Sequence, residues 1–428
     1  MRNSNKKVTI LHITDALPNY YPIWGGAEKV AYRQIKTSLK LEDVKVFVGG
    51  TRPKKQIKED FGFVRIPTIE DFLPRKLKHY ITSFKNQILP FDFVSFFCLI
   101  FIFLKIKPKI IHIHKVTRIS LTPIIVAKIF RVPTILAIYD YWVFCPTRLL
   151  IDREANPCYK FHGSWCKNCS SLDSRSTLKA VSFFRKRVFN FFLSMVTNFS
   201  VLSESCKDLV SKYLKNKKKI FIVRQLSIIE HQRTEENFFI ERESIFLNTW
   251  MLPHKGTHII VQAFCNVIKS KPNAKLYIAV KDTGHYTDYQ YYLKIKKTIK
   301  SLGLEKKIIF LGRLSHEEYL KNIKRAEIVV IAEQWENMAP TTLADSMSLG
   351  KPIVASRIGG IPEMIEDGKN GFLVNPQDPK DFSQKILEIL NNKSLAEQMG
   401  LEAKRSIEVS GGEEIIINQL YNLYENCY

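Results

Sequence analysis

The sequence contains no obvious run of the ~20 apolar residues that a membrane-spanning helix requires. The strongest candidate, FVSFFCLIFIFL at 93–104, is too short. It predicts either a buried helix packed under a sheet or an interfacial helix that dips into a bilayer. The apolar segment after Lys7 is broken by His12, Thr14 and Asp15, which favours a first β-strand over a secretory signal. We therefore expect a cytoplasmic protein, and peripheral attachment at the inner face of the membrane stays open.

Acidic residues are scarce. Asp and Glu total 41 against 65 Lys and Arg, which gives a formal net charge of +24. Such a balance predicts attraction to polyanions such as nucleic acid, an anionic membrane surface or nucleotide phosphates. The sequence shows no nucleic-acid-binding module, coiled coil or short repeat. We therefore expect a nucleotide or an anionic membrane surface as partner, and no nucleic acid.

The chain has 428 residues, more than the ~250–300 at which a single core usually splits, so two domains are expected. Apolar runs alternate with helix-like stretches, which is typical of parallel sheets covered on both faces. The pattern predicts an α/β protein of two Rossmann-like, doubly wound domains that face each other across a cleft. The predicted strands are 8–13, 44–48, 110–113, 134–138, 199–202 and 220–223, followed by 245–247, 276–280, 308–311, 328–331, 353–355 and 371–374.

The predicted boundaries follow from a polar, strand-poor segment. Residues 1–229 form the first domain, 230–243 the linker and 244–409 the second domain, and a last helix at 410–428 crosses back to the first domain. Ligands of doubly wound sheets bind beyond the carboxyl ends of the strands. Polar residues directly after the predicted strands are therefore the candidate ligand contacts.

The segment 333–374 has the layout of a ligand-binding pocket. A loop with Glu336 and Asn337 leads into a short helix that carries Asp345, and a buried strand then meets the turn Gly359-Gly360. Backbone N–H groups at a helix start can hold phosphate, and carboxylates can accept hydrogen bonds from sugar hydroxyls. The segment therefore predicts a site for both halves of a sugar nucleotide.

The stretch SMSLGKPIVASRIGGIPE at 346–363 resembles the signature of the family 4 retaining glycosyltransferases, which have the GT-B fold. That family has two glutamates separated by seven residues just before this stretch. Here the second acid is Asp345, and the family spacing falls on Asn337 instead of Glu336. A one-residue insertion at 339–340 restores the register, so we predict that Glu336 contacts the sugar, with Asn337 as the alternative.

The resemblance also implies a phosphate-binding lysine. Lys255 in PHKG resembles the family's K-G at the start of a helix and would neutralise the departing diphosphate. The family's arginine five residues upstream is replaced by Trp250, and His254, Arg313 or Arg357 are candidates to compensate for its loss. Asp345 would accept hydrogen bonds from the ribose, and the WGGAE loop would lie near the donor phosphates. The implied donor-binding residues are Gly25, Gly26, Asn337, Met338, Ala339, Pro340, Thr341, Asp345 and Arg313.

A further departure from the family lies at 138–142, IYDYW, where many relatives have H-D-Y-W. Tyr139 replaces the histidine and cannot carry a proton near neutral pH as histidine can. Asp140 remains as a polar group that either orients the acceptor or sugar or caps the following loop. Together with Glu336 and Lys255 it completes the predicted catalytic set.

Four of the eight cysteines, Cys145, Cys158, Cys166 and Cys169, follow this segment. In a reducing compartment such clustering favours a structural Zn²⁺ over disulfides, with His162 as an alternative ligand. Bound metal and a metal-free loop stay equally open. Family resemblance implies that catalysis itself needs no cofactor or divalent metal.

The expected activity is retaining transfer of a hexosyl unit from a nucleotide diphosphate sugar to a hydroxyl of a glycan or lipid-linked acceptor, in polysaccharide or glycoconjugate biosynthesis. Two other classes remain open. A catalytically impaired nucleotide-sugar-binding or scaffold protein would keep the fold, and the three departures from the family pattern favour it. A nucleotide-sugar epimerase would share the architecture as well.

Overall fold

A computed structural model describes residues 7–18, 20–21, 25–53, 55–152, 158–159, 182–214, 219–225, 239–281 and 286–427. The chain divides into two compact units. The first comprises Met1–Leu226 with Glu413–Tyr428, and the second comprises Ser227–Gly412. The last helix therefore belongs to the first unit.

The first unit is built on a seven-stranded sheet in the order β3-β2-β1-β4-β5-β6-β7, with every neighbouring pair parallel. Strands β4 and β5 are buried along their whole length and β1 is buried from Ile10 onward, as expected where helices cover both faces of a sheet. The last helix packs against this sheet through its buried Leu420 and Tyr424. The strands are β1 (Val8–Ile13), β2 (Val44–Gly50), β3 (Gly62–Arg65), β4 (Ile110–Ile113), β5 (Thr134–Ala137), β6 (Asn198–Val201) and β7 (Ile220–Ile222).

The helices of the first unit connect and cover these strands. Asp92 begins α3 by accepting a hydrogen bond from the Ser95 amide at 2.8 Å, which satisfies one of the free N–H groups of the first turn. The helices are α1 (Gly26–Ser38), α2 (Arg75–Gln87), α3 (Phe93–Ile106), α4 (Thr122–Ile129), α5 (Ser182–Ser194), α6 (Glu204–Tyr213) and α13 (Glu413–Glu425), with a 3-10 turn at Ile69–Phe72.

The second unit has a six-stranded parallel sheet in the order β10-β9-β8-β11-β12-β13. One apolar cluster lies on each face of this sheet. Its strands are β8 (Glu241–Trp250), β9 (Lys275–Lys281), β10 (Ile308–Gly312), β11 (Ala326–Ile331), β12 (Ile353–Ser356) and β13 (Phe372–Val374). Its helices are α7 (Thr257–Ser270), α8 (Tyr286–Ser301), α9 (His316–Arg325), α10 (Thr341–Ser348), α11 (Pro379–Asn391) and α12 (Lys393–Gly411).

The architecture confirms the predicted α/β class with two doubly wound parallel sheets. Each predicted apolar run overlaps an observed strand. Strand β3 was not predicted, because this edge strand is only partly buried and carries Gly62 and Arg65. Strand β8 begins at Glu241, inside the predicted linker, because Glu241 pairs with Ala326 of the parallel strand β11.

Helix α3 occupies the apolar run at 93–104. One of the two predicted alternatives was a buried helix, but α3 is buried on one face only. Its inner face buries Ser95, Leu99, Ile102 and Phe103, whereas its outer face is open to solvent. Within the described residues, no helix is long and apolar enough to cross a membrane.

Candidate active site

The second unit has a crevice where the chain connections diverge. Strands β8 and β11 are parallel neighbours at the centre of the sheet, and their next strands lie on opposite sides, β9 beside β8 and β12 beside β11. The loops that leave the carboxyl ends of β8 and β11 therefore separate, which is where doubly wound sheets bind ligands. Lys255 lies in the first loop and Glu333 in the second.

Lys255 and Glu333 form an ion pair across this crevice. The Lys255 ammonium donates to both carboxylate oxygens of Glu333, at 2.8 and 2.9 Å. The Trp335 indole N–H donates to the same carboxylate at 2.5 Å, and its ring centroid lies 5.2 Å from the Lys255 Nζ. Glu333 therefore holds the predicted phosphate-binding lysine in place. Sequence reasoning missed this role, although a charged residue soon after the buried strand β11 was the available signal.

The backbone brings the two loops into close contact. Gly256 has φ of +67°, and a Cβ atom there would overlap the carbonyl oxygen of Ala332. The Gln334 amide donates to the His254 carbonyl at 2.9 Å and joins the loops a second time. Only glycine fits at position 256, for reasons of both backbone conformation and space. Lys255 is thereby placed directly before helix α7.

His254 does not replace the missing arginine as a cation. Its ring is buried, and the loss of hydration, with the nearby Lys255 charge, holds the pKa of His254 well below its usual range. A neutral imidazole cannot balance phosphate charge at neutral pH. The structure leaves Arg313 and Arg357 as the other candidates.

Neither arginine follows β8 or β11, the two strands whose loops form the crevice. Arg313 is exposed and follows the edge strand β10, which β9 separates from β8. Arg357 follows β12, pairs with Asp367 and donates to the Leu373 carbonyl at 3.2 Å. The donor-binding role of Arg313 stays a prediction.

The loop with the two competing sugar-contact candidates is held by the glycine turn. Gly359 has φ of +59°, and a Cβ atom there would overlap the backbone of Asn337. The Gly360 amide donates to the Asn337 carbonyl at 2.8 Å. Glu336 and Asn337 are both half-buried, so both remain able to contact a ligand. The glycine turn thus acts by positioning this loop.

The remaining predicted donor-binding residues differ in exposure. Met338 is 2% exposed and the Pro340 ring is buried, so both side chains face the interior, whereas Ala339 and Thr341 are half-buried. The Asn248 side chain donates to the Thr342 hydroxyl at 2.9 Å and ties the end of β8 to the start of α10. Backbone groups at the start of α10 therefore lie close to the crevice.

Asp345 is fully buried, contrary to what a ligand-facing carboxylate would show. The hydroxyl of Tyr319, on α9, donates to its carboxylate at 2.9 Å. A ribose could reach this carboxylate only if that contact opened. The ribose-binding role of Asp345 stays a prediction, and in this structure the carboxylate joins α10 to α9.

In the first unit, the glycine loop begins helix α1. The Gly25 amide donates to the Glu28 carboxylate at 2.8 Å, and α1 starts at Gly26. Trp24 lies outside the described residues. One of the N–H groups that was predicted to face the donor phosphates therefore already donates to Glu28. The roles of Gly25 and Gly26 stay predictions.

Asp140 lies just beyond β5, beside the carboxyl end of β4. It pairs with Lys115 and accepts a hydrogen bond from the Trp142 amide at 2.9 Å, so it caps its loop and also carries an ion pair. Burial opposes ionisation of this carboxyl, but Lys115 and Arg148 outweigh it and hold the pKa of Asp140 below its usual range. Residues 114–116, 136–140 and 142–143 line a small pocket here.

His114, which lines this pocket, belongs to a cluster of three buried histidines. His12 on β1 pairs in register with His112 on β4, and His114 follows on the same face. His12 and His114 are joined at 2.8 Å between ring nitrogens, and His114 contacts the Tyr139 hydroxyl at 2.8 Å. Burial lowers the pKa of His12 to about 3. The Tyr139 hydroxyl therefore belongs to the hydrogen-bonded series of buried side chains that runs through His114 and His12.

Ring nitrogens of His12, His112 and His114 all lie within 4.8 Å of one another, a spacing that a metal ion could bridge. Five of the six ring nitrogens already have a polar contact, to one another or to the hydroxyls of Ser38, Tyr139 and Tyr424. The second ring nitrogen of His12 also contacts the Ser38 hydroxyl at 3.1 Å. We therefore assign these rings to hydrogen bonding.

The predicted cysteine cluster is only partly described. Cys145 is a buried free thiol whose Sγ lies 3.1 Å from the Thr147 hydroxyl, and Cys158 is a half-buried free thiol. Cys166, Cys169 and His162 lie outside the described residues. The structural zinc site stays a prediction.

The second unit matches a known family. Residues 229–406 match the glycosyl transferases group 1 model. N-acetyl-alpha-D-glucosaminyl L-malate synthase of Bacillus anthracis is 23% identical over 232 residues, which cover 54% of this chain and 57% of that protein. The chain spans about half the length of the curated relatives it matches.

Solved structures resemble nearly the whole chain. Sucrose-phosphate synthase from Thermosynechococcus elongatus has a TM-score of 0.70 at 14% identity, with 98% of each chain covered. HepE from Anabaena, solved in complex with UDP and glucose, has a TM-score of 0.67 at 14% identity, with 97% of this chain and 99% of that chain covered. At this identity the likeness shows the fold. The chain therefore has the GT-B fold, and its residues 229–406 match the group 1 glycosyltransferases.

Proposed function

We propose that the protein transfers a hexosyl unit from a nucleotide diphosphate sugar to a hydroxyl of a glycan or lipid-linked acceptor, with retention at the anomeric carbon. The reaction would serve polysaccharide or glycoconjugate biosynthesis. The observation that carries this proposal is the position of Lys255, directly before α7 and at the central crevice of a group 1 domain. A structural neighbour, HepE, binds UDP and glucose, which supports a nucleotide sugar as donor.

The chemistry asks the protein mainly for charge stabilisation and positioning. The bond between the anomeric carbon and the diphosphate oxygen breaks, and the acceptor oxygen bonds to the same carbon on the same face. The acceptor proton passes to the departing diphosphate. Lys255 and backbone N–H groups at the start of α10 stabilise the diphosphate charge, and Glu336 positions the sugar. No divalent metal is required in this scheme.

The first unit supplies the acceptor side in this proposal. Asp140 and Lys115 lie beside the pocket at the carboxyl ends of β4 and β5, where a hydroxyl group could be oriented by hydrogen bonds. A basic chain of net charge +24 suits an acceptor that carries phosphate. A lipid-linked glycan diphosphate has both an acceptor hydroxyl and phosphate groups that a basic protein attracts.

The test is nucleotide release from a panel of UDP-, GDP- and ADP-sugars. We expect release from one donor, with kcat lowered about 100-fold or more in Lys255→Ala and Glu336→Gln. Lys269→Ala removes an exposed lysine from the other end of α7 and serves as the matched control. Asn337→Ala decides between the two sugar-contact candidates, because only the residue that contacts the sugar should lower kcat when changed.

Three other outcomes would contradict the proposal. Protection of the protein from heat by a nucleotide sugar, without release, would favour a binding or scaffold protein. An isomerised nucleotide sugar would indicate an epimerase. Inversion at the anomeric carbon, read by NMR of the product, would remove the retaining mechanism.

A further inference from the structure

Helix α3 exposes a continuous row of large apolar side chains, which we call the α3 stripe. Its members are Phe93, Phe97, Phe101 and Leu104, with exposed fractions of 63%, 60%, 71% and 55%. Their spacing of four, four and three residues places them within one narrow face of the helix, about 16 Å long. Monomeric proteins seldom leave an apolar surface of this kind open unless it binds something.

Positive charge surrounds one end of the stripe. Five exposed cations, which we call the basic end, follow α3 and the neighbouring α4: Lys105, Lys107, Lys109, Lys128 and Arg131. The two helix ends touch, since the Phe103 and Phe130 ring centroids lie 5.3 Å apart. None of the ion pairs found among the described residues involves these five side chains. Their charge is therefore available to a partner.

Helix α2 adds a second set of exposed apolar residues. Leu77, Tyr80 and Phe84 are spaced by three and four residues, so they share one face of this helix, and they are 49%, 53% and 39% exposed. Lys76 and His79 are exposed beside them. The combination of aromatic and basic side chains on one surface helix is typical of helices that lie in a membrane interface.

A buried charge network connects the two helices, α2 and α3, that carry these exposed apolar residues. The Lys85 ammonium, on α2, donates to Glu70 at 2.7 Å, to Asp92 at 2.5 Å and to the Arg118 carbonyl at 2.6 Å. Lys85 is 2% exposed. Asp92 is the residue that begins α3, and Arg118 lies in the loop after β4. The network therefore joins α2 and α3 to the carboxyl edge of the first sheet.

We propose that the α3 stripe and the basic end form a docking surface for an anionic lipid bilayer, with the aromatic rings inserted between lipids and the cations beside the headgroups. Lysine is depleted in protein interfaces, so the four lysines among these five cations favour lipid over a protein partner. A second copy of the chain would bring two basic ends together at a net charge of +24 each. Docking goes beyond the proposed reaction, because vesicle binding needs no nucleotide sugar.

The test is sedimentation of the full chain with vesicles of phosphatidylcholine alone or mixed with phosphatidylglycerol. We expect binding at least about tenfold stronger to the anionic vesicles, weakened by salt because cations near the surface each contribute attraction. Phe97→Ala with Phe101→Ala should weaken binding about tenfold or more, since inserted apolar area is lost. The matched control is Phe184→Ala with Phe191→Ala, two residues on α5 that are 59% and 60% exposed.

Charge is tested in the same way. Lys105→Gln, Lys109→Gln and Lys128→Gln together should weaken binding to anionic vesicles about tenfold or more. The control, Lys297→Gln, Lys300→Gln and Lys306→Gln, removes the same charge from exposed positions of the second unit and should have little effect. Thermal unfolding of each variant should match the parent, because all these side chains are exposed.

Three results would overturn the docking surface. Equal losses in the two charge variants would mean that net charge alone attracts the protein. Binding that is insensitive to the Phe97 and Phe101 changes would place the contact elsewhere. Self-association that these two changes abolish, without vesicle binding, would make the stripe a protein interface. Nucleotide release with a soluble acceptor is measured separately, so failure of the reaction and failure of docking are told apart.

Discussion

The Lys255 ammonium donates to both carboxylate oxygens of Glu333, at 2.8 and 2.9 Å, so a cation predicted to meet the donor diphosphate is already paired. The pair lies at the centre of the second sheet, where the loops after β8 and β11 separate. Glu333 both holds the lysine and opposes the approach of an anion. These two effects have opposite consequences for nucleotide binding, and a substitution can separate them.

Glu333→Gln keeps an acceptor for Lys255 and Trp335 but removes the negative charge. We expect UDP, or the diphosphate of the donor found in the release assay, to bind about tenfold more tightly, because repulsion at a few ångströms is removed. Isothermal titration measures the change. Lys255→Ala serves as the reference and should weaken binding. Weaker binding to Glu333→Gln would show that the charged pair is needed to orient the lysine.

The buried histidines make the first unit sensitive to acid. The pKa of His12 is lowered to about 3, and burial also holds the pKa values of His112 and His114 well below their usual range. In the unfolded chain these imidazoles bind protons near pH 6.5, so the unfolded state gains protons first as the pH falls. Stability should therefore decrease below pH 6.5. The loss between pH 7.5 and 5.5 is about 1.4 kcal/mol for each such histidine.

Urea unfolding at the two pH values measures this dependence. His12→Asn should reduce the difference in unfolding free energy between the two pH values by about 1.4 kcal/mol, the contribution of one histidine. Stability that instead rose as the pH fell would show that the His12–His114 pair shares an additional proton in the folded state.

The Lys85 network should be essential to the stability of the first unit. Lys85→Met leaves the Glu70 and Asp92 carboxylates buried without their cation, which should cost about 3–5 kcal/mol of unfolding free energy. The matched control is Lys40→Met, whose pair with Glu413 is exposed and should contribute less than about 1 kcal/mol. Urea unfolding measures both variants. Similar losses in the two would mean that the buried network adds nothing beyond a surface pair.

Substitutions at Gly256 and Gly303 can separate the cost of a left-handed backbone conformation from the cost of steric overlap, since both residues have φ of +67°. Gly303→Ala has no atom near the new Cβ and should cost about 1 kcal/mol for the left-handed conformation alone. Gly256→Ala also overlaps the Ala332 carbonyl and should cost about 3 kcal/mol or more. Thermal unfolding compares them, and nucleotide binding should fall in Gly256→Ala because Lys255 moves. Equal stability of the two variants would contradict the close contact.

The apolar runs of the sequence determined the fold class, because strands of a parallel sheet are buried on both faces and read as continuous apolar segments. Motif spacing indicated the family that residues 229–406 match, and it identified Lys255 and the Glu336 loop as candidates. The glycine pair at 359–360 stands out in the sequence, but its close contact with the Asn337 backbone is one that spacing cannot show.

Other features depended on which distant segments meet. Lys255 and Glu333 are 78 residues apart, and His12 and His114 are 102 residues apart, so their contacts exist only once the strands are in order. Asp345 fits the family pattern by position, yet α9 covers it with Tyr319. Helix α3 is apolar on all sides, so its sequence could not indicate which face the first unit covers. Chain composition determined what was apolar, and only tertiary packing decided what became buried.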